Sequence, residues 1–158
     1  MEYVKEMRKL IGTKPLLICG AGVLFFDDAG RVLMLQRSDN LCWCFPGGTM
    51  DLGEQLEQTA RREALEETGL TVQEMTLFGV FSGKGMHYVY PHGDEVYVVD
   101  AIFTCNRYEG TVQLNDESIN YAFFEIDRLP DEISPPVRPI VQEVVKRFGK
   151  SQVQESVR

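Results

Sequence analysis

Residues 48–70 read GTMDLGEQLEQTARREALEETGL, and the fold turns on how this stretch is read. Leu52 to Thr68 is a helix candidate. Asp51 and Glu54 are spaced as an N-cap and its capping-box partner, and Gly69 stands where a C-terminal stop belongs. Taking about 100° per residue with Leu56 at zero, Ala60 falls at about 40° and Ala64 at about 80°, which defines an inward stripe. Glu63 then falls at about −20°, Glu67 at about 20° and Glu66 at about −80°. Two carboxylates thus lie inside the apolar stripe and a third lies beside it. Partly buried like charges without a partner are costly and protonate instead. Arg62 neutralises one carboxylate at most. Clustered oxygen ligands suit a hard cation, Mg²⁺ or Mn²⁺.

The flanking residues fit phosphate chemistry. Pro46-Gly47-Gly48 reads as a tight backbone turn, and glycine lets a ligand approach the main chain. A cation shared by carboxylates and phosphate oxygens would hold an anionic substrate and activate a water. A neighbouring Glu would take that water's proton. The alternative for the helix alone is an unusually acidic structural face.

Outward from this stretch, the 158 residues carry 24 acids against 16 Lys and Arg, a net charge of −8. Half of that excess lies in Asp51–Leu70, where six acids face Arg61 and Arg62. With no basic cluster, a nucleic-acid polymer is not the expected partner. The composition, 44% hydrophobic and 25% charged, is that of a folded globular chain rather than a disordered one. The longest apolar run, Leu16–Phe26, is too short to span a membrane, and residues 1–9 lack the apolar core of a signal peptide. Cys19, Cys42, Cys44 and Cys105 form no metal-binding spacing and read as reduced packing thiols. A cytoplasmic location is the expectation.

The remaining pattern places an amphipathic helix at Tyr3–Ile11 and a buried strand at Leu16–Phe26. A hairpin partner follows at Arg31–Gln36, with strands at Val72–Phe81, Glu95–Cys105, Thr111–Leu114 and Tyr121–Ile126. Asn106–Gly110 reads as a turn. A final helix carries Ile140, Val141, Val144, Val145 and Phe148. The expectation is one α/β (α+β) domain over 1–148, with 149–158 as a frayed C-terminal tail.

From Gly48 the spacing is Gly48, five residues, Glu54, seven residues, then Arg62-Glu63-Ala64-Leu65-Glu66-Glu67-Thr68-Gly69-Leu70. This resembles the complete Nudix box. Its seven fixed residues put a chance match on the order of 10⁻⁹ per start position. Ala64 is smaller than the aliphatic residue common at its place. Phe45-Pro46-Gly47-Gly48 and the hairpin before it are similar to MutT-like Nudix hydrolases, as are Asp116-Glu117, Phe123-Phe124, Leu129-Pro130 and Ser134-Pro135-Pro136. The N-terminal helix looks like a bacterial subgroup.

The resemblance implies an α/β/α Nudix sandwich with a central mixed sheet. It implies that Glu63, Glu66, Glu67 and the Gly47 carbonyl hold Mg²⁺ (or Mn²⁺), and that Glu63 or a neighbour handles the attacking water. Arg62 would hold Glu54 and the loop, and Glu117 would serve as base, extra ligand or plain loop carboxylate. The implied reaction is water attack on a nucleoside diphosphate linked to another moiety, of the nucleoside triphosphate or nucleotide sugar class. The alternatives are a catalytically silent nucleotide-sensing module and, more remotely, a diphosphate isomerase.

Phe81, Tyr88, Tyr90 and Phe123 are candidates to stack a base or, equally, core residues, and Arg138 is a candidate contact to phosphate or base. The N-terminal apolar stripe needs a cover, either its own sheet or a second copy in a homodimer.

Overall fold

The computed structural model describes residues 2–150. In chain order its elements are α1 (Glu2–Ile11), β1 (Leu16–Phe25), β2 (Val32–Arg37), β3 (Trp43–Cys44), β4 (Gly47–Thr49), α2 (Leu56–Thr68), β5 (Thr71–Phe81), β6 (His87–Val89), β7 (Glu95–Glu109), β8 (Ser118–Phe124) and α3 (Arg138–Phe148).

β1 is the spine. It runs parallel to β7 from Leu16↔Val96 to Phe25↔Cys105 and antiparallel to β4 on its other edge. β5 and β6 pair antiparallel with the far edge of β7. β2 lies in a second sheet between β3 and β8. A strand covered on both faces reads as continuous apolar sequence rather than as alternation, and β1 is covered on both from Gly20 onward, while Leu17 and Cys19 before it are exposed. Ala21, Val23 and Phe25 pack with Ala60 and Ala64 of α2. Leu24 packs on the opposite side with Ile140 and Val144 of α3. The fold is therefore a mixed sheet between helices.

α1 finds its cover within the chain. Val4, Met7 and Ile11 rest on Leu16, Ile18 and Val96, while Leu10 stays 80% exposed. Arg8 latches the helix by donating to the carbonyls of Gly12 (3.0 Å), Lys14 (2.6 Å) and Glu95 (2.6 Å).

Several sequence expectations shift. α2 begins at Leu56, not Leu52, with Gln55 as N-cap and Gln58 as its capping-box partner. Gly53 has φ +83°, a left-handed backbone that no α-helix contains, and Glu54 is occupied elsewhere. Gly47-Gly48 is an edge strand rather than a turn. β2 packs against β1 in the core but pairs with this stretch only at the bridge Phe26↔Val32, just past the end of β1, because β4 and β7 occupy both edges of β1. β7 continues through Asn106 to Glu109, where Thr71 and Val72 of β5 pair with it. Residues 111–114 form no strand; Val112 and Leu114 instead pack beneath α2.

The four cysteines are free. No helix among the described residues is long and apolar enough to cross a membrane. Of the expected frayed tail, residues 151–158 lie outside the described residues.

Candidate metal and nucleotide site

The α2 face places its carboxylates as the angular arithmetic requires. Ala60 and Ala64 are fully buried, and Glu63 and Glu67 are buried beside them, 5% and 9% exposed. The Glu66 side chain points outward. Gly48 makes the inward position of Glu63 possible: a Cβ there would sit 2.4 Å from the Glu63 carboxyl carbon.

Arg62 organises the box. It donates to Glu54 through Nε (2.6 Å) and Nη2 (2.9 Å), to Glu63 (2.7 Å) and to the Thr49 carbonyl (3.0 Å). Glu54 also accepts from the Asp51 N–H (3.0 Å) and the Thr59 hydroxyl (2.8 Å). These contacts, led by the Arg62 guanidinium, hold the Glu54 carboxyl at about 2. Its folded pKa is depressed, so its contribution to stability is full above the unfolded value of about 4.5 and is lost as pH falls towards 2. Glu54→Gln should therefore flatten the acid limb of thermal stability between pH 5 and about 2. A melting series in which both proteins lose stability in parallel would contradict this.

Glu63 and Glu67 behave oppositely. Burial pushes the Glu63 carboxyl up against the opposing pull of Arg62. Burial also pushes Glu67 well up, although it accepts the Gly47 N–H at 2.9 Å, and the charges of Glu63 and Glu117 push it further. Such a pair favours anything that brings positive charge.

The backbone adds another oxygen. Ala21 faces Gly48, and Val23 N–H donates to the Pro46 carbonyl (2.9 Å), so Gly47 between them turns its N–H and C=O away from β1. The N–H meets Glu67, and the carbonyl lies on that same outer edge. Among the described residues no three carboxylate, imidazole or thiolate groups already converge on one point. The donor set nevertheless fits a hard divalent cation: all oxygen, strongly anionic, with Glu67 in no ion pair among the described residues and Glu63 sharing the single Arg62 guanidinium with Glu54.

Gly47, Glu63 and Glu67 line the mouth of a cleft of 410 Å³, while Glu66 stands outside it. Gly20, Gly22, Asp100 and Ile102 line it from the sheet, and Met86, Val137 and Ile140 from the opposite side. Tyr88 and Glu117 line it, as does Arg37, held by Asp39 at 2.8 and 2.7 Å. Three candidate substrate residues are elsewhere. Phe81 stacks on Phe78. Phe123, opposite Leu33, packs into the core beneath α2. Arg138 is exposed at the start of α3 and does not line the cleft. In each case the pairing of a strand or the start of a helix sets the direction, which residue type alone does not reveal.

Asp100 and Arg37 also line the cleft, and no motif in the sequence marks either. The signal for Asp100 is a single acid interrupting the apolar run Val96–Phe103.

The NUDIX domain model matches residues 17–144. The chain is 30% identical over 112 residues to an ADP-ribose pyrophosphatase of Methanocaldococcus jannaschii, covering 69% of this chain and 62% of that protein. It is 32% identical over 114 residues to a MutT-like protein of Streptomyces ambofaciens, covering 72% and 64%. The matched regions thus span slightly under two thirds of the length of both relatives. A MutT protein of Methanosarcina mazei Go1 shares the fold with a TM-score of 0.71 at 22% identity, over 87% of this chain and 99% of that one. With the box intact on a buried helix face and the model matched along most of its length, this chain belongs to the Nudix family.

Proposed function

We propose that this protein hydrolyses a phosphoric anhydride in a nucleoside diphosphate linked to another group, of the nucleoside triphosphate or nucleotide sugar class. The observation that carries this reading is the set of acids on α2, with Glu63 and Glu67 buried at the mouth of a largely apolar cleft. The names of the relatives, an ADP-ribose pyrophosphatase among them, support a nucleotide substrate.

Glu63, Glu66, Glu67 and the Gly47 carbonyl would hold Mg²⁺ or Mn²⁺. Such an ion supplies charge neutralisation at the phosphates and a more acidic water. Glu63 and Glu67, with raised proton affinity, suit the base that accepts the water's proton near neutral pH. Glu117, on the same cleft, is a further acceptor. The water oxygen bonds to phosphorus, the bridging P–O bond breaks, and two phosphate products leave. Arg62 touches no substrate; it fixes Glu63 and the loop through Glu54.

Ligand binding to the native state raises stability. Millimolar Mg²⁺ or Mn²⁺ should therefore raise the thermal midpoint of the metal-free protein and support turnover across a panel of NTPs, oxidised dNTPs, ADP-ribose and nucleotide sugars. A midpoint indifferent to both ions would sink the shared site. Metal binding without turnover of any member would favour a nucleotide-sensing module instead.

A further inference from the structure

Asp100 lies on β7, beside Gly20 of β1 and Phe81 of β5. It falls in the same alternating register as Val96, Val98 and Ile102, which share its face of the sheet. Among the described residues its carboxyl makes no hydrogen bond or ion pair, although Arg37 and Glu117 line the same cleft. It is walled by protein and reached by solvent from the cleft. An ionisable group in such a place is costly unless something pairs with it.

The sheet keeps space open at this point. A Cβ on Gly20 would stand 3.2 Å from the Asp100 carboxyl oxygen and 2.9 Å from the Gly48 carbonyl. Any side chain there would crowd the carboxyl. Ile18, Met86, Val98, Val137 and Ile140 supply apolar walls suited to a flat ring. β7 lies two strand spacings, about 10 Å, from β4 and its outward-facing Gly47. A ribose and its phosphates can bridge the distance from a ring over Asp100 to the acidic mouth.

We propose that Asp100 reads the nucleobase, its two carboxylate oxygens accepting the N1–H and N2–H of a guanine. This rests on the nucleotide reading above and adds the residue that selects the base. An ionised carboxylate offers acceptors only. Guanine presents two adjacent donors on that edge. Adenine and cytosine each present one donor beside an acceptor, and uracil presents one donor between two carbonyls. Only guanine satisfies both oxygens without a proton being added. Burial pushes the empty carboxyl up to about 7, and two donated hydrogen bonds would reverse that by favouring the charged form.

The test compares kcat/KM for GTP, ATP, CTP and UTP, and for GDP- and ADP-sugars, in the natural protein and in Asp100→Asn. Binding of GDP, ADP, CDP and UDP is measured by calorimetry alongside. Each well-formed bidentate base contact discriminates by about 10- to 100-fold. The natural protein should prefer guanine by about that factor. Asp100→Asn, whose amide pairs one donor with one acceptor, should lose the preference or turn it towards adenine. Thermal melting checks that the near-isosteric variant is folded; if it is not, Asp100→Leu serves, with loss of guanine preference expected. A natural protein that favours another base, or a preference that survives in the folded variant, overturns the assignment. Selective GDP binding abolished in the variant, with no turnover of any nucleotide, supports the base reading and fails the hydrolase reading. Turnover that is indifferent to the base does the reverse.

Discussion

Glu67→Gln should lower turnover by at least ~10², the range over which a positioned proton acceptor contributes, while the fold survives. The substitution keeps the shape and the acceptor for the Gly47 N–H, now at 2.9 Å from Glu67. It removes a buried negative charge that Glu63 and Glu117 both oppose. The stability effect has a definite sign. Burial raises the folded pKa of Glu67 well above its ordinary 4.5. Its contribution is therefore fully present below about 4.5 and is lost as pH rises through the folded value. At neutral pH the metal-free variant should melt higher than the natural protein, and the gap should close as pH falls towards 4.5. Kinetics and melting curves on the same preparations check both halves. Full activity in Glu67→Gln would falsify α2 as the catalytic centre.

The second large effect falls on a residue with no functional group. Gly48→Ala places a methyl 2.4 Å from the Glu63 carboxyl carbon and 2.6 Å from both of its oxygens. Glu63 is buried and tied to Arg62 at 2.7 Å, so its retreat must move a carboxylate at the mouth of the cleft. A displacement near 1 Å costs on the order of 10² in rate, and the crowding should cost about 1–3 kcal/mol of stability. Gly47→Ala provides the contrast. Its methyl would meet backbone, the Ala21 oxygen and the Gly22 Cα, both at 2.7 Å. Backbone cannot rotate away, so Gly47→Ala should destabilise more than Gly48→Ala by separating β4 from β1. Equal melting points for the two variants, or unchanged turnover in Gly48→Ala, would contradict this account.

The α2 carboxylates were legible in the chain because helical periodicity is local. Once Leu56, Ala60 and Ala64 turn inward, Glu63 and Glu67 must turn with them, and burial confirms it. The role of Arg62 came from the resemblance rather than from periodicity: Glu54 precedes α2, and the loop between them brings it back to the Arg62 guanidinium. β1 was also readable, because ten apolar or small residues in succession leave a strand as the simplest element, doubly covered over its last six residues.

What the chain alone left open depended on contacts between distant segments. The glycines after Pro46 read as a turn because their conformational freedom permits one. Only the approach of β1, some 25 residues earlier, makes them an edge strand that turns Gly47 outward. Phe81, Phe123 and Arg138 have residue types that suit a nucleotide, yet strand pairing and helix position direct them elsewhere. In the sequence Asp100 is one acid in an apolar strand. Its setting exists only after β1 and β7 align in parallel and bring Gly20 beside it, 80 residues away in sequence. Periodicity determines which way a side chain points within its own element; what it then meets is decided by the packing of elements that share no local sequence.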